Sequence, residues 1–173
     1  MNSHMKLQAK NAREICDELT DEKREELKGI AEKIIELQGE ITNAIKVHGI
    51  DKICGGLCKG ECCAQKHEKN IFDEYYFVMA LVAFSDNVRQ EVMETAECLN
   101  FSPRCIYIGE DGCRIAEDSR PHLCKIWFCG SDRKMIEIGD EFNDKIYDLY
   151  QDFREVVDVA IADGSLHNIS CAN

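Results

Sequence analysis

Four cysteines and three glycines share the ten residues Cys54-Gly55-Gly56-Leu57-Cys58-Lys59-Gly60-Glu61-Cys62-Cys63. Glycines between closely spaced thiols let the backbone bend around an ion and turn its N–H groups toward sulfur. A second set follows at Cys105, Cys113, Cys124 and Cys129, so the two sets together hold eight of the eleven cysteines. The other three, Cys16, Cys98 and Cys171, stand alone. An isolated cysteine reads as a small buried hydrophobe, or near the end of the chain as an exposed thiol.

The compartment decides what a crowd of thiols means. The residues after Met1-Asn2-Ser3-His4-Met5 are polar and charged, and no apolar run approaches the roughly 18 residues of a membrane span. Residues 1–5 read as a cloning remnant, and the chain as a single cytoplasmic domain spanning 1–173. Disulfides are rare in a reducing cytosol, and an odd number of cysteines suits a disulfide framework poorly, so the pattern reads as metal binding. Soft thiolates select zinc, iron–sulfur clusters or cuprous copper. Structural zinc is usually held by Cys-x2-Cys pairs, which this chain lacks. Cys54-x3-Cys58-x3-Cys62 spreads its sulfurs further apart, which suits the separate irons of a cubane. The ferredoxin spacing Cys-x2-Cys-x2-Cys is absent, and so is the radical-enzyme spacing Cys-x3-Cys-x2-Cys. His67 and His122 sit near the thiols, as polar neighbours or as ligands.

The rest of the chain reads as helix. Leu7, Ala12, Ile15, Cys16 and Leu19 recur at helical spacing over residues 6–19, and Thr20-Asp21 marks a break and an N-cap. Asp21, Glu22, Glu25 and Glu26 open a second helix on the side its dipole favours. Leu27, Ile30, Ala31, Ile34, Ile41 and Ile45 carry it to a stop at Gly49. Gly29 and Gly39 either weaken that helix or allow close helix contact. A third helix is expected from about Asn70 to Asn100, on Phe72, Tyr75, Tyr76, Met79, Val82, Ala83, Val88, Val92, Ala96 and Leu99. Its middle is apolar nearly all round, which makes it central. Pro103 closes it. Residues 104–108 and 113–115 flank Gly109-Glu110-Asp111-Gly112, the pattern of a small β-hairpin. The final helix runs through Phe142, Ile146, Leu149, Phe153, Val156, Val157, Ala160 and Ile161, with Gly164 as its stop. The expected fold is therefore mainly α: a bundle of about four helices whose cysteine-rich loops and small hairpin form a metal site.

Read in order, the cysteines resemble the YkgJ-type family, described as a zinc- or iron-chelating domain. Cys54, Cys58, Cys62 and Cys63 match its opening cluster. Cys105-Ile106-Tyr107-Ile108 matches its apolar cysteine segment. Gly112-Cys113-Arg114-Ile115-Ala116-Glu117 and Arg120-Pro121-His122-Leu123-Cys124-Lys125 match the two steps that follow. The likeness covers residues 54–125. The chain departs from the pattern by one extra residue between Cys58 and Cys62 and one between Glu117 and Arg120. Ala116 and Lys125 stand where the family has Tyr and Arg. The resemblance implies a chelated metal centre on Cys54, Cys58, Cys62, Cys63, Cys105, Cys113 and Cys124, with Cys129 outside the core pattern, and leaves zinc against iron open.

One [4Fe–4S] cluster takes four thiolates, so eight allow one centre with spare thiols around it, or two centres. Arg120 reads either as a surface charge or as a cation beside an anionic cluster. Trp127 reads as core or as a shield for the cluster. Three functions fit: an iron–sulfur protein that senses or passes electrons to a protein redox partner, a cluster-dependent enzyme with an open iron, and a structural zinc protein whose helical face binds another protein. A net charge of −12 argues against nucleic-acid and anionic-lipid partners and leaves a basic protein as a suitable one. Ser119 and Ser131 near His122 define no nucleophile triad.

Overall fold

Thr20 starts the bundle's longest early element. Its backbone is extended and its Oγ1 accepts from the Lys23 N–H at 3.2 Å, so one orphan donor of the following helix is met at its first turn. The computed structural model describes residues 2–49, 71–98, 105–109, 112–121, 123–124 and 133–162. Cys54, Cys58, Cys62, Cys63, Cys129, Cys171, His67, His122, Trp127 and Gly164 lie outside them, so the expectations on those residues do too.

Among the described residues there are five helices: α1 (Asn2–Glu18), α2 (Asp21–Val47), α3 (Glu74–Ala83), α4 (Asp86–Glu97) and α5 (Arg133–Ala160). The protein is mainly helical. No helix among the described residues is long and apolar enough to cross a membrane. The broadest contacts are α1 on α3 and α2 on α5, and α3 also touches α2, α4 and α5. Tyr76, Phe77, Val78, Met79 and Ala80 of α3 are buried in succession. A helix covered on every side is the centre of its bundle, as its apolar sequence predicts. Each large side chain so buried contributes about 1.5–3 kcal/mol relative to exposure.

The single helix expected over 70–100 is two helices. Phe84 and Ser85 turn extended between them (ψ 149° and 153°), and Ser85 becomes the N-cap residue of α4, its carbonyl accepting from Arg89 N–H at 2.8 Å. Ser85-Asp86-Asn87 is a run of cap-forming residues that compete with a helix interior, and the apolar stripe passing through it masks the break. The break lets α4 fold back on α3 and α1.

Two smaller expectations change on α1 and α2. Leu7 is half exposed, and the buried stripe of α1 is Met5, Ala9, Ala12, Ile15 and Cys16. Counting back from Ala12 by three and seven gives Ala9 and Met5, whereas Leu7 lies five back, on another face. Met5, set aside as part of a remnant, is thus a core residue. Gly29 and Gly39 make no close helix approach, because a Cβ at either would meet nothing within 4 Å. Gly49, by contrast, has φ +68° and ends α2 in the left-handed conformation, with its N–H on the Lys46 carbonyl at 2.9 Å.

Where the hairpin is expected, Ile108–Gly109 (β1) pairs antiparallel with Gly112–Cys113 (β2), Ile108 opposite Cys113. Glu110 and Asp111 between them lie outside the described residues. A short 3-10 helix, Glu117–Ser119, follows and packs on α2.

Candidate metal centre

The segment 105–124 carries three of the expected thiols, Cys105, Cys113 and Cys124. Its buried side chains tell how it is seated. Tyr107 is fully buried; its ring lies 4.8 Å from that of Phe72, and its hydroxyl donates to the Val92 carbonyl of α4 at 3.0 Å. Ile115, Ser119 and Pro121 are buried as well. Tyr76, from the middle of the bundle, donates its hydroxyl to the Ser119 carbonyl at 3.0 Å. Glu117 pairs with Lys46 near the end of α2, Nζ to Oε2 at 2.6 Å. The thiol-bearing segment is thus pinned to α2, α3 and α4 by polar contacts at Glu117, Ser119 and Tyr107.

Within the segment the backbone is tied to itself. The Arg114 N–H donates to the Tyr107 carbonyl at 2.8 Å, and the Cys124 N–H to the Pro121 carbonyl at 2.8 Å. Arg120 donates from Nε to the Ile115 carbonyl at 3.0 Å and from Nη2 to the Cys113 carbonyl at 3.4 Å. Its guanidinium therefore bonds backbone, which neither of the two sequence readings anticipates.

Cys105, Cys113 and Cys124 are half-buried and pack against the edge of the core. Burial pushes the Tyr76 hydroxyl well above the ordinary tyrosine value of 10.0, and the neighbouring Tyr107, Tyr150, Cys124 and Cys113 push it further. Burial also raises Tyr150, with Asp73 and Cys124 adding to the rise while Arg154 and the nearby Gln38 amide oppose it. Cys124 thus lies within electrostatic reach of two buried hydroxyls, and Cys113 of one. Among the described residues no three histidine, cysteine or carboxylate side chains are gathered so as to hold an ion. The donors fit a soft metal in chemistry, and a complete ligand set needs thiols from residues 50–70 or 125–132 as well.

The isolated cysteines divide. Cys16 is buried, as expected, and burial pushes its thiol up from 9.0 to about 11, Arg24 opposing and Asp17 adding to the shift. The Arg24 guanidinium also donates to the Cys16 carbonyl. Cys98 is exposed rather than buried, because it caps the end of α4 where the helix leaves the core.

Sequence reasoning misses Tyr76 and Lys46 as supports of this segment. Tyr76 reads there as one more apolar residue of a helix, and an ion pair between residues 46 and 117 leaves no local signal. A brace on the neighbouring face is equally silent: Asp73 caps α3 through Oδ1 to the Tyr76 N–H at 3.0 Å and pairs through Oδ2 with Arg154 of α5 at 2.6 Å. Arg154 stacks on the Tyr75 ring at 4.8 Å, and Tyr75 donates to Asp158 at 2.8 Å. Beside the thiol segment, Asn87, Val88, Glu91, Arg114, Ile115 and Ala116 line an open groove of about 460 Å3.

No protein-family model matches the chain, and no curated protein and no solved structure matches it.

Proposed function

We propose that the chain binds iron through its clustered cysteines, as one [4Fe–4S] cluster that serves electron transfer or sensing. One observation carries the reading. Described residues on either side of positions 50–70, which hold Cys54, Cys58, Cys62 and Cys63 in the sequence, both meet the segment that bears Cys105, Cys113 and Cys124. Lys46 pairs with Glu117, and the Phe72 ring lies on Tyr107. The resemblance of residues 54–125 to the YkgJ-type chelating domain supports the same centre.

The candidate ligands are Cys54, Cys58, Cys62, Cys63, Cys105, Cys113, Cys124 and Cys129, of which a cubane needs four. Bound there, a cluster would supply a reversible one-electron couple. The protein's own part is to gather thiolates at the rim of the core, where Tyr76, Tyr107 and Phe72 keep water from one side. The groove walled by Arg114 and Ile115, next in sequence to Cys113, favours a second reading: an enzyme acting on a small molecule at an open iron.

The test is anaerobic purification with absorbance near about 400 nm and assays for iron, sulfide and zinc. About four irons and four sulfides per chain support the cluster. Stoichiometric zinc in a colourless sample replaces it with a structural zinc site that stabilises a protein-binding face. A sample free of both metals ends the chelation reading.

A further inference from the structure

We infer that Arg120 is the positioning residue for Cys113, an assignment that rests on the thiolate centre proposed above. The peptide between Cys113 and Arg114 is held from both sides. Its carbonyl accepts from Arg120 Nη2 at 3.4 Å, and its N–H donates to the Tyr107 carbonyl at 2.8 Å. Arg120 Nε grips the Ile115 carbonyl at 3.0 Å, so the guanidinium closes residues 113–120 into a loop. Arg120 itself is held from its neighbours. Ser119 before it accepts from buried Tyr76, and Pro121 after it is buried and accepts from the Cys124 N–H. One side chain thereby sets the Cys113 backbone relative to the turn that carries Cys124.

The chemistry explains why the residue is arginine. A guanidinium presents several N–H groups in a rigid fork and meets two carbonyls at once, whereas a lysine ammonium is a point charge on a flexible stem. The two carbonyls come from residues 113 and 115, so both bonds bear on the backbone beside one thiol. Charge alone does not reproduce that geometry, and this separates Arg120 from a cation that merely sits near thiolates.

The experiment compares the full chain with Arg120→Lys and Arg120→Gln in two measurements. The first is the alkylation rate of Cys113 in metal-free protein, by peptide mass spectrometry, with exposed Cys98 as internal reference. The second is titration with cobalt(II), whose sulfur-to-metal absorption reports thiolate ligation. Both variants are expected to raise Cys113 labelling about tenfold relative to Cys98. They are expected to weaken cobalt binding by about 10–100-fold at unchanged helical circular dichroism. Arg120→Lys labelling as the parent overturns the assignment. Cobalt binding unchanged in a parent that binds cobalt overturns it too, and leaves the metal reading standing. A parent that takes up no cobalt overturns the assignment of Arg120 to a metal ligand, while the iron, sulfide and zinc assays decide the chelation reading itself. Cys113 labelling then decides only whether the clamp orders the backbone.

Discussion

Removing one oxygen from Tyr76 separates the hydroxyl's work from the ring's. Tyr76→Phe keeps the packing of the ring, whose centroid lies 5.2 Å from Phe72, 5.6 Å from Phe77 and 5.8 Å from Phe84. It deletes the 3.0 Å bond to the Ser119 carbonyl. A net hydrogen bond contributes about 1 kcal/mol, and taking a donor from a buried acceptor costs about 1–3 kcal/mol. Ser119 ends a three-residue 3-10 helix and is buried, so the middle of that range applies and the expected loss is about 2 kcal/mol. That is roughly a thirtyfold change in the unfolding equilibrium. Tyr107→Phe is the control. Its hydroxyl also makes a 3.0 Å bond, but to Val92, whose carbonyl lies inside α4 where the helix supplies a donor of its own. The expected loss there is about 1 kcal/mol. Urea denaturation followed by the helical circular-dichroism signal reads the difference. With a slope of about 2 kcal/mol per molar urea, Tyr76→Phe shifts the midpoint by about 1 M and Tyr107→Phe by about half of that. Equal shifts, or a larger one for Tyr107→Phe, would refute the argument that the bond to Ser119 contributes more than the bond to Val92.

Three further outcomes are expected. Gly29→Ala and Gly39→Ala each stabilise the protein by about 0.5–1 kcal/mol, since both lie in α2 with open space where the Cβ would go; a fall in thermal midpoint would refute this. Asp73→Ala loses the α3 cap and the Arg154 pair together and destabilises by about 1–2 kcal/mol, whereas Asp73→Asn keeps a capping oxygen and loses only about 0.2–1 kcal/mol from the half-exposed ion pair. Equal denaturation midpoints for those two variants would contradict the division. Finally, Cys16, Tyr75, Tyr76 and Tyr150 hold their protons more tightly folded than unfolded, mainly through burial, so their contribution is full below about pH 9 and falls as pH rises through 9 to 11 and beyond. Urea midpoints that stay level from about pH 8 to about pH 11 would count against that sign.

Much of the helical frame is legible in the residues themselves. The Thr20 cap, the stripe Leu27, Ala31, Ile34, Ile41 and the face Phe142, Ile146, Phe153, Val157 all emerge from spacing, because a helix repeats every 3.6 residues and burial selects one side. The break at Ser85 is written there too, in Ser85-Asp86-Asn87, but the apolar stripe on either side outweighs it. Leu7 shows the opposite error, since a leucine near a stripe is not a leucine on it.

The order and kind of the cysteines belong to the sequence: soft ligands, glycine between them, two sets along the chain. Which groups support those thiols is a matter of tertiary structure. Glu117 finds Lys46 across 71 positions, and Tyr107 finds Phe72 across 35, because both pairs lie where α2 ends and α3 begins. Local propensity acts over a few residues and carries no record of such meetings. Packing brings them about, by burying Tyr76 and Tyr107 so deeply that each hydroxyl must find a carbonyl, and the carbonyl Tyr76 finds belongs to the segment that carries the thiols.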